Sequence, residues 1–391
     1  MNKSLKQYRL MNNAIGWLIG IIACAVYIMT AEATASWWDC GEYIATAFKV
    51  QVGHPPGAPT FQIFGRLFSL FTDPYHAAFA VNVMSAMVSG LGIMFLYWTI
   101  TLLGKKLLNP EELTLKNSKV WAVFGSGVVG ALAYTFTDTY WFSAVEGEVY
   151  AMSSFFTAVV FWAILKWEEQ ADDTHSLRWL ILISFLVGIA IGVHLLNLLT
   201  IPAIVYVVYF KKYPKTTFKG FVISGIISLV ILAAVLWGVI PGIVNLSCDF
   251  DVFFVNKLHL GFNSGTVVFF LLVALFIVWG VWNNSRLKRP SKTVNIIVIS
   301  VIFVLLFAAK VGAGTFSFGF FVVLVLLGVA SYFIVKGKNR EVTNAALMSL
   351  LLLVVGYSTF FILVIRANTN TPLNENAPKD ANLLQQKQHL H

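Results

Sequence analysis

Residues Trp37–Phe61 read WWDCGEYIATAFKVQVGHPPGAPTF. In a chain that is 58% apolar and 12% charged, this one stretch gathers Asp39, Glu42, His54 and three prolines. Asp39 and Glu42 are three residues apart, a spacing that puts both carboxylates on one face of a helix. A carboxylate so placed can take the proton of an acceptor hydroxyl as a general base. It can also hold a divalent metal that steadies a leaving phosphate. The same spacing suits a capping box, with Asp39 opening a helix and Glu42 at its third position. The capping and chemical roles are compatible.

Further candidates lie far along the chain. Glu146 and Glu148 sit in TYWFSAVEGEVYAM, flanked by Trp141 and Tyr150. A solvated turn would explain them, but their surroundings are aromatic and apolar, where a carboxylate is costly unless paired or functional. His194, in IGVHLLNLL, has Asn197 three residues on, sharing its helix face. It serves either as an interhelical hydrogen-bonding group or as a ligand for phosphate or sugar. Arg66, Lys49 and Arg366 are the cations available to a phosphate on that side, although an arginine at a membrane edge also serves as a snorkelling anchor. The three cysteines have no metal-ligand spacing. Cys40 and Cys248 fall on the same side, so a disulfide between them is open. No P-loop, dinucleotide fingerprint or HExxH occurs. No motif requires a cofactor or a resident metal.

These residues must be positioned by membrane helices. The charged fraction is half the 25% or so of soluble domains, and apolar runs long enough to cross a core of about 30 Å recur along the chain. The period-2 pattern of barrel strands is absent. An all-α polytopic protein is expected, because helices satisfy their own backbone in lipid. About eleven spans are read, near 13–33, 78–103, 120–136, 149–165, 179–194, 197–210, 220–243, 265–283, 294–309, 317–335 and 345–365. The fifth and sixth are short, because Asn197 and Pro202 interrupt them.

Most of the 27 lysines and arginines fall before span 1 and after the even-numbered spans, among them Lys3, Lys105, Lys211, Arg286 and Lys338. The positive-inside rule then puts the N-terminus in the cytoplasm and the C-terminus outside. The outward minority includes Lys49, Arg66, Lys257, Lys310, Arg366, Lys379 and Lys387. The net charge of +9 is thus a consequence of topology and gives no reason to expect nucleic acid as a partner. AEATAS after the first span imitates a cleavage site, but the apolar run exceeds the 7–15 residues or so of a signal peptide, so a signal anchor is expected.

The longest outward loop, 34–77, carries the opening motif. Gly41–Val50 and 61–71 read as two amphipathic surface helices, the second with Phe61, Phe64, Leu67, Phe68 and Phe71 on one face. GHPPGAP between them cannot be helical. Trp37 and Trp38 would anchor the loop at headgroup level. One membrane domain, 1–366, is expected, followed by a short polar outward tail, 367–391, that reads as the truncated start of a soluble region.

DCGEYIATAFKVQVGHPPGAPTF resembles the signature of the DUF2723 membrane proteins, a bacterial group related to the TMEM260-type protein O-mannosyltransferases. VEGEVYAM, GVHLLNLL and NTPLNEN resemble later landmarks of that family. The resemblance implies a GT-C-like bundle, a polyprenyl-phosphate sugar as donor and no nucleic acid. It implies inverting transfer, of mannose by analogy, to a serine or threonine of an exported protein. The setting would be a bacterial inner membrane, with the active side facing the periplasm. Asp39 matches the acidic position of the first outward loop. On this reading Asp39 is the base, assisted by Glu42. Glu146 and Glu148 orient Asp39 or sugar hydroxyls, His54 shapes the loop, and Arg66, His194, Asn197 and Arg366 contact the substrate. A lipid or glycan acceptor remains open, as does a transporter or flippase. Transporters, however, usually place charge at the bilayer midplane, where this sequence has almost none.

Overall fold

The computed structural model of the protein describes residues 3–285, 288–337, 339–380 and 383, with the side chain of Phe318 left aside. Arg286, Lys338 and Lys387, used above for orientation, lie outside them, as does most of the tail beyond residue 380. The described residues form helices in this order: α1 Lys3–Met29, α2 Cys40–Lys49, α3 Pro59–Ser69, α4 Ala77–Lys105, α5 Ser118–Thr135, α6 Asp138–Ala144, α7 Val149–Glu169 and α8 Leu177–Ile191. There follow α9 Thr200–Lys212, α10 Phe218–Ala233, α11 Ile240–Asn256, α12 Ser264–Asn284, α13 Lys292–Ala313, α14 Phe318–Lys336, α15 Arg340–Tyr357 and α16 Phe361–Ala367. Among the described residues the only extended pairing is an isolated parallel bridge between Val52 and Asn374. The chain is an all-α polytopic membrane protein.

Each expected span coincides with a helix. Among the described residues, nine helical stretches are long and apolar enough to cross a membrane. α5 qualifies only together with α6, from which it bends by 68°. α8 has 15 residues, about 22 Å at 1.5 Å per residue, shorter than the hydrocarbon core. It packs closely on α15 instead: a Cβ on Gly188 would lie 2.4 Å from the Leu353 carbonyl oxygen.

Three expectations need correction. The seventh span does not end near 243. It continues from α10 through a π-helical turn, Ala234–Val239, into α11 as one stretch to Asn256. Cys248, Asp249 and Asp251 are therefore buried helix residues rather than loop residues. Lys310, expected just past the ninth span, lies inside α13 and forms a buried ion pair with Asp249. Mutual neutralisation removes the reason to expel either charge. The apolar face of α3 is also divided. Phe61 is fully buried while Phe64, Leu67 and Phe71 are exposed, because Gly65 lets α3 lie directly against Ala47 of α2.

The two surface helices are fixed from below. Ile44, Ala47 and Phe61 pack on Val81 and Met84 of α4, Met152 of α7 and Val193. At the other end of α4, about 40 Å away along its 29 residues, Lys105 and Lys166 pair with Glu169 at 2.6 and 2.5 Å, and Lys211 pairs with Asp172 at 2.7 Å. The basic ends of α4, α7 and α9 thus gather opposite the motif-bearing loop. The tail returns to that loop through the Val52–Asn374 bridge.

Candidate functional site

Asp39 precedes α2 with helix-like backbone angles, φ −85° and ψ 0°, and its side chain caps nothing. The expected capping box is not formed. Its carboxylate is 60% exposed. Glu42, one turn on, accepts the His54 backbone N–H at 2.5 Å and lies 3.1 Å from His54 Nδ1. An ionised carboxylate only accepts, so this contact places the ring proton on Nδ1. Nε2 is then turned toward Asp39 Oδ2, 4.0 Å away, and the Tyr43 hydroxyl, 3.4 Å away.

The local backbone explains this approach. α2 stops at Val50, whose φ of 48° is left-handed, and the chain turns back toward the start of the helix. Gly53 then passes against Glu42: a Cβ there would lie 2.6 Å from Oε1. Any side chain at 53 competes with the carboxylate that holds His54. The turn closes with the Gly57 N–H donating to the His54 carbonyl at 2.7 Å.

The second acidic pair joins the first. Glu146 and Glu148 lie between α6 and α7, 4% and 6% exposed, so the solvated turn is not what the fold contains. Glu148 caps α7, accepting the Val149 N–H at 3.2 Å. Glu146 is hydrogen-bonded by Ser36 and Cys40. Burial pushes both carboxyls up, with Glu146 and Asp39 adding repulsion at Glu148, which reaches about 7. Asp39, Glu146 and Glu148 line one cleft of about 810 Å³ together with Trp38, Tyr140 and Tyr150. Glu42 and His54 stand beside Asp39 at its edge.

The remaining candidates are distributed differently. α8 ends at Ile191, so His194 and Asn197 do not share a helix face. His194 has extended backbone and accepts the Leu196 N–H on Nδ1 at 3.1 Å. Its ring lies 5.5 Å from that of Tyr150, a cleft residue. Asn197 is 2% exposed and ties this turn to α7, accepting from Ser153 and Thr157 at 3.3 and 3.2 Å. Arg66 donates to the Phe48 carbonyl at 2.5 Å and covers the Phe48 ring. Arg366 donates to the Val50 and Lys49 carbonyls at 2.5 and 3.0 Å. Both guanidiniums thus sit at the C-terminal, partially negative end of α2, about 15 Å along the helix from Asp39.

Tyr43, Ser36 and Cys40 also belong to this network. Tyr43 and Cys40 lie inside the opening motif, but nothing in their spacing distinguishes them from packing residues. Cys40 and Cys248 are both free thiols. Among the described residues, no three His, Cys, Asp or Glu side chains converge as metal ligands.

Residues 39–217 match the family model for the protein O-mannosyl-transferase TMEM260 N-terminal domain. The segment is TMEM260-like. It begins at Asp39 and contains every cleft carboxylate. A stretch of 145 residues is 29% identical to the protein O-mannosyl-transferase tmem260 of Dictyostelium discoideum, covering 37% of this chain and 16% of that protein. It is 22% identical to the protein O-mannosyl-transferase TMEM260 of Mus musculus, covering 37% of this chain and 18% of the relative. The matched part thus spans less than a fifth of either relative. No solved structure matches. The likeness to TMEM260-type proteins expected from the opening motif is borne out over residues 39–217.

Proposed function

We propose that this protein is a membrane glycosyltransferase that moves a sugar, mannose by analogy with the names of its relatives, from a polyprenyl-phosphate donor to a serine or threonine hydroxyl of an exported protein. Transfer takes place at the outward face of the membrane with inversion. The observation that carries this reading is a coincidence of position: the TMEM260-like segment is the one that folds Asp39, Glu146 and Glu148 into a single cleft.

Asp39 accepts the proton of the hydroxyl as its oxygen bonds to the anomeric carbon. The bond from that carbon to the phosphate breaks, and the lipid phosphate leaves as an anion that needs no proton at neutral pH. His54, held by Glu42 at Nδ1, faces Asp39 through Nε2 at 4.0 Å and orients it by charge when both ring nitrogens carry protons. Glu146 and Glu148 accept hydrogen bonds from sugar hydroxyls.

The test is hexose transfer by purified protein, supplied with polyprenyl-phosphate mannose and a serine/threonine peptide library and read by mass spectrometry of the peptides. Modified peptides support the proposal. Donor counter-flow in proteoliposomes without any covalent product would replace it with a transporter.

Two expected results follow from the geometry. Gly53→Ala drives a methyl group into Glu42 and releases His54, so transfer should fall about tenfold or more, with little change in peptide KM. An unaltered rate would separate the Glu42–His54 pair from the chemistry. Glu148 is neutral below its value of about 7 and charged above it, and an ionised carboxylate is the stronger acceptor. Transfer should therefore rise with pH through about 7, and Glu148→Gln should flatten that rise; persistence of the inflection assigns it to another group. The sign for stability is opposite. The folded protein holds this proton above the ordinary 4.5, so Glu148 lowers stability as pH rises through the window from 4.5 to about 7.

A further inference from the structure

The carbonyl end of α2 and the turn leading to His54 are held by the other end of the chain. Arg366 takes the Lys49 and Val50 carbonyls. The Gln51 side chain accepts the Leu373 N–H at 2.8 Å. The Val52 N–H donates to Leu373 at 3.2 Å, and the Val52 carbonyl accepts from Glu375 at 3.0 Å. Asn374 folds back on Ala367 at 3.1 Å, fixing the spacing between the arginine and the strand-like residues. Leu363 occupies the space above Gly57, where a Cβ would lie 2.9 Å from it. Four consecutive residues, 49 to 52, are therefore fastened by residues 366–375, and His54 is two residues further on. None of the fastening residues lies in the TMEM260-like segment.

We infer that residues 366–375 are a positioning clasp: they set the register of the turn that presents His54 to Glu42 and Asp39, and Arg366 acts through this turn rather than by touching substrate. Glu42 and Tyr43 fix the ring from the α2 side. The clasp fixes the backbone from the other side, and displacement by about 1 Å at such a site costs up to about 100-fold in rate. The inference deepens the proposed glycosyltransferase reading and rests on it for its kinetic arm.

The test uses the full chain. Val52→Cys with Asn374→Cys places two thiols at a bridged pair, within the roughly 4.4–6.8 Å between Cα atoms that a disulfide spans. Mild oxidation should cross-link them. Arg366→Gln should lower kcat of mannosyl transfer about tenfold or more with KM changed less than about twofold, and Arg366→Lys should recover part of the loss. The oxidised cross-link, added to Arg366→Gln, should restore kcat, and reduction should remove the gain. A second readout needs no activity: carbethoxylation of His54, one of seven histidines, followed by mass spectrometry. Its rate should rise severalfold in Arg366→Gln and return with the cross-link. Loss of kcat that the formed cross-link does not restore would make Arg366 a substrate ligand and overturn the clasp. So would unchanged kcat, or unchanged His54 reactivity, in Arg366→Gln. If wild-type protein transfers no hexose, the enzymatic reading fails separately, and His54 reactivity alone decides the clasp.

Discussion

Asp39→Asn is expected to lower hexose transfer by about 10²- to 10⁴-fold, the range supplied by a general base, while the protein keeps its thermal unfolding midpoint. The second half of the expectation comes from geometry. Asp39 caps no helix N–H and is mostly exposed, so an amide of the same shape removes no interaction on which the fold depends. Glu148 provides the contrast, because it is buried and caps α7. A loss of activity there would mix chemistry with structure. Full transfer by Asp39→Asn would remove Asp39 from the base role and leave Glu148, whose carboxyl burial pushes up to about 7, as the next candidate in the cleft.

The largest expected effect on stability lies away from the cleft. Asp249 and Lys310 join α11 to α13 deep in an apolar cluster containing Phe250, Leu306, Ala309 and Phe320. Thr315 completes the network, donating to Asp249 at 2.6 Å and accepting from Lys310 at 3.3 Å. Asp249→Leu strands the ammonium without its partner, which costs about 3–5 kcal/mol, whereas replacing both charges with apolar residues of similar volume is often neutral or stabilising. Asp249→Leu should therefore lower the unfolding midpoint in detergent steeply, and the double variant Asp249→Leu/Lys310→Leu should recover most of it. If the double variant is no better than the single one, the network is held by more than charge pairing.

The sequence is most legible where chemistry and periodicity are local. Asp39, Glu42 and His54 stand within one motif, and the surface helices around them follow from Ile44, Phe61 and the prolines of the turn. The apolar runs located the spanning helices for the same reason: a run long enough for lipid has few other uses. Partners far apart in sequence were not legible. Arg66 and Arg366 read as cations available to a phosphate, because a guanidinium gives no sign in sequence that it will cap a distant helix. Asp249 and Lys310 read as loop charges, because each looks costly alone and only their pairing makes α11 and α13 tolerable. His194 and Asn197 keep their three-residue spacing, but the helix that would have aligned them ends at Ile191, and a spacing argument fails once the period changes.

The clasp also has a consequence for the order of synthesis. A chain made from its N-terminus produces Asp39, Glu42 and His54 with the first helices, yet Val50 waits for Arg366, 316 residues later. The cleft carboxylates are all present once α7 is made, but the turn beside them gains its second support only when α16 and the residues after it have been delivered. The site therefore keeps an open geometry until residues 366–375 have been made, although its carboxylates and His54 are in place long before.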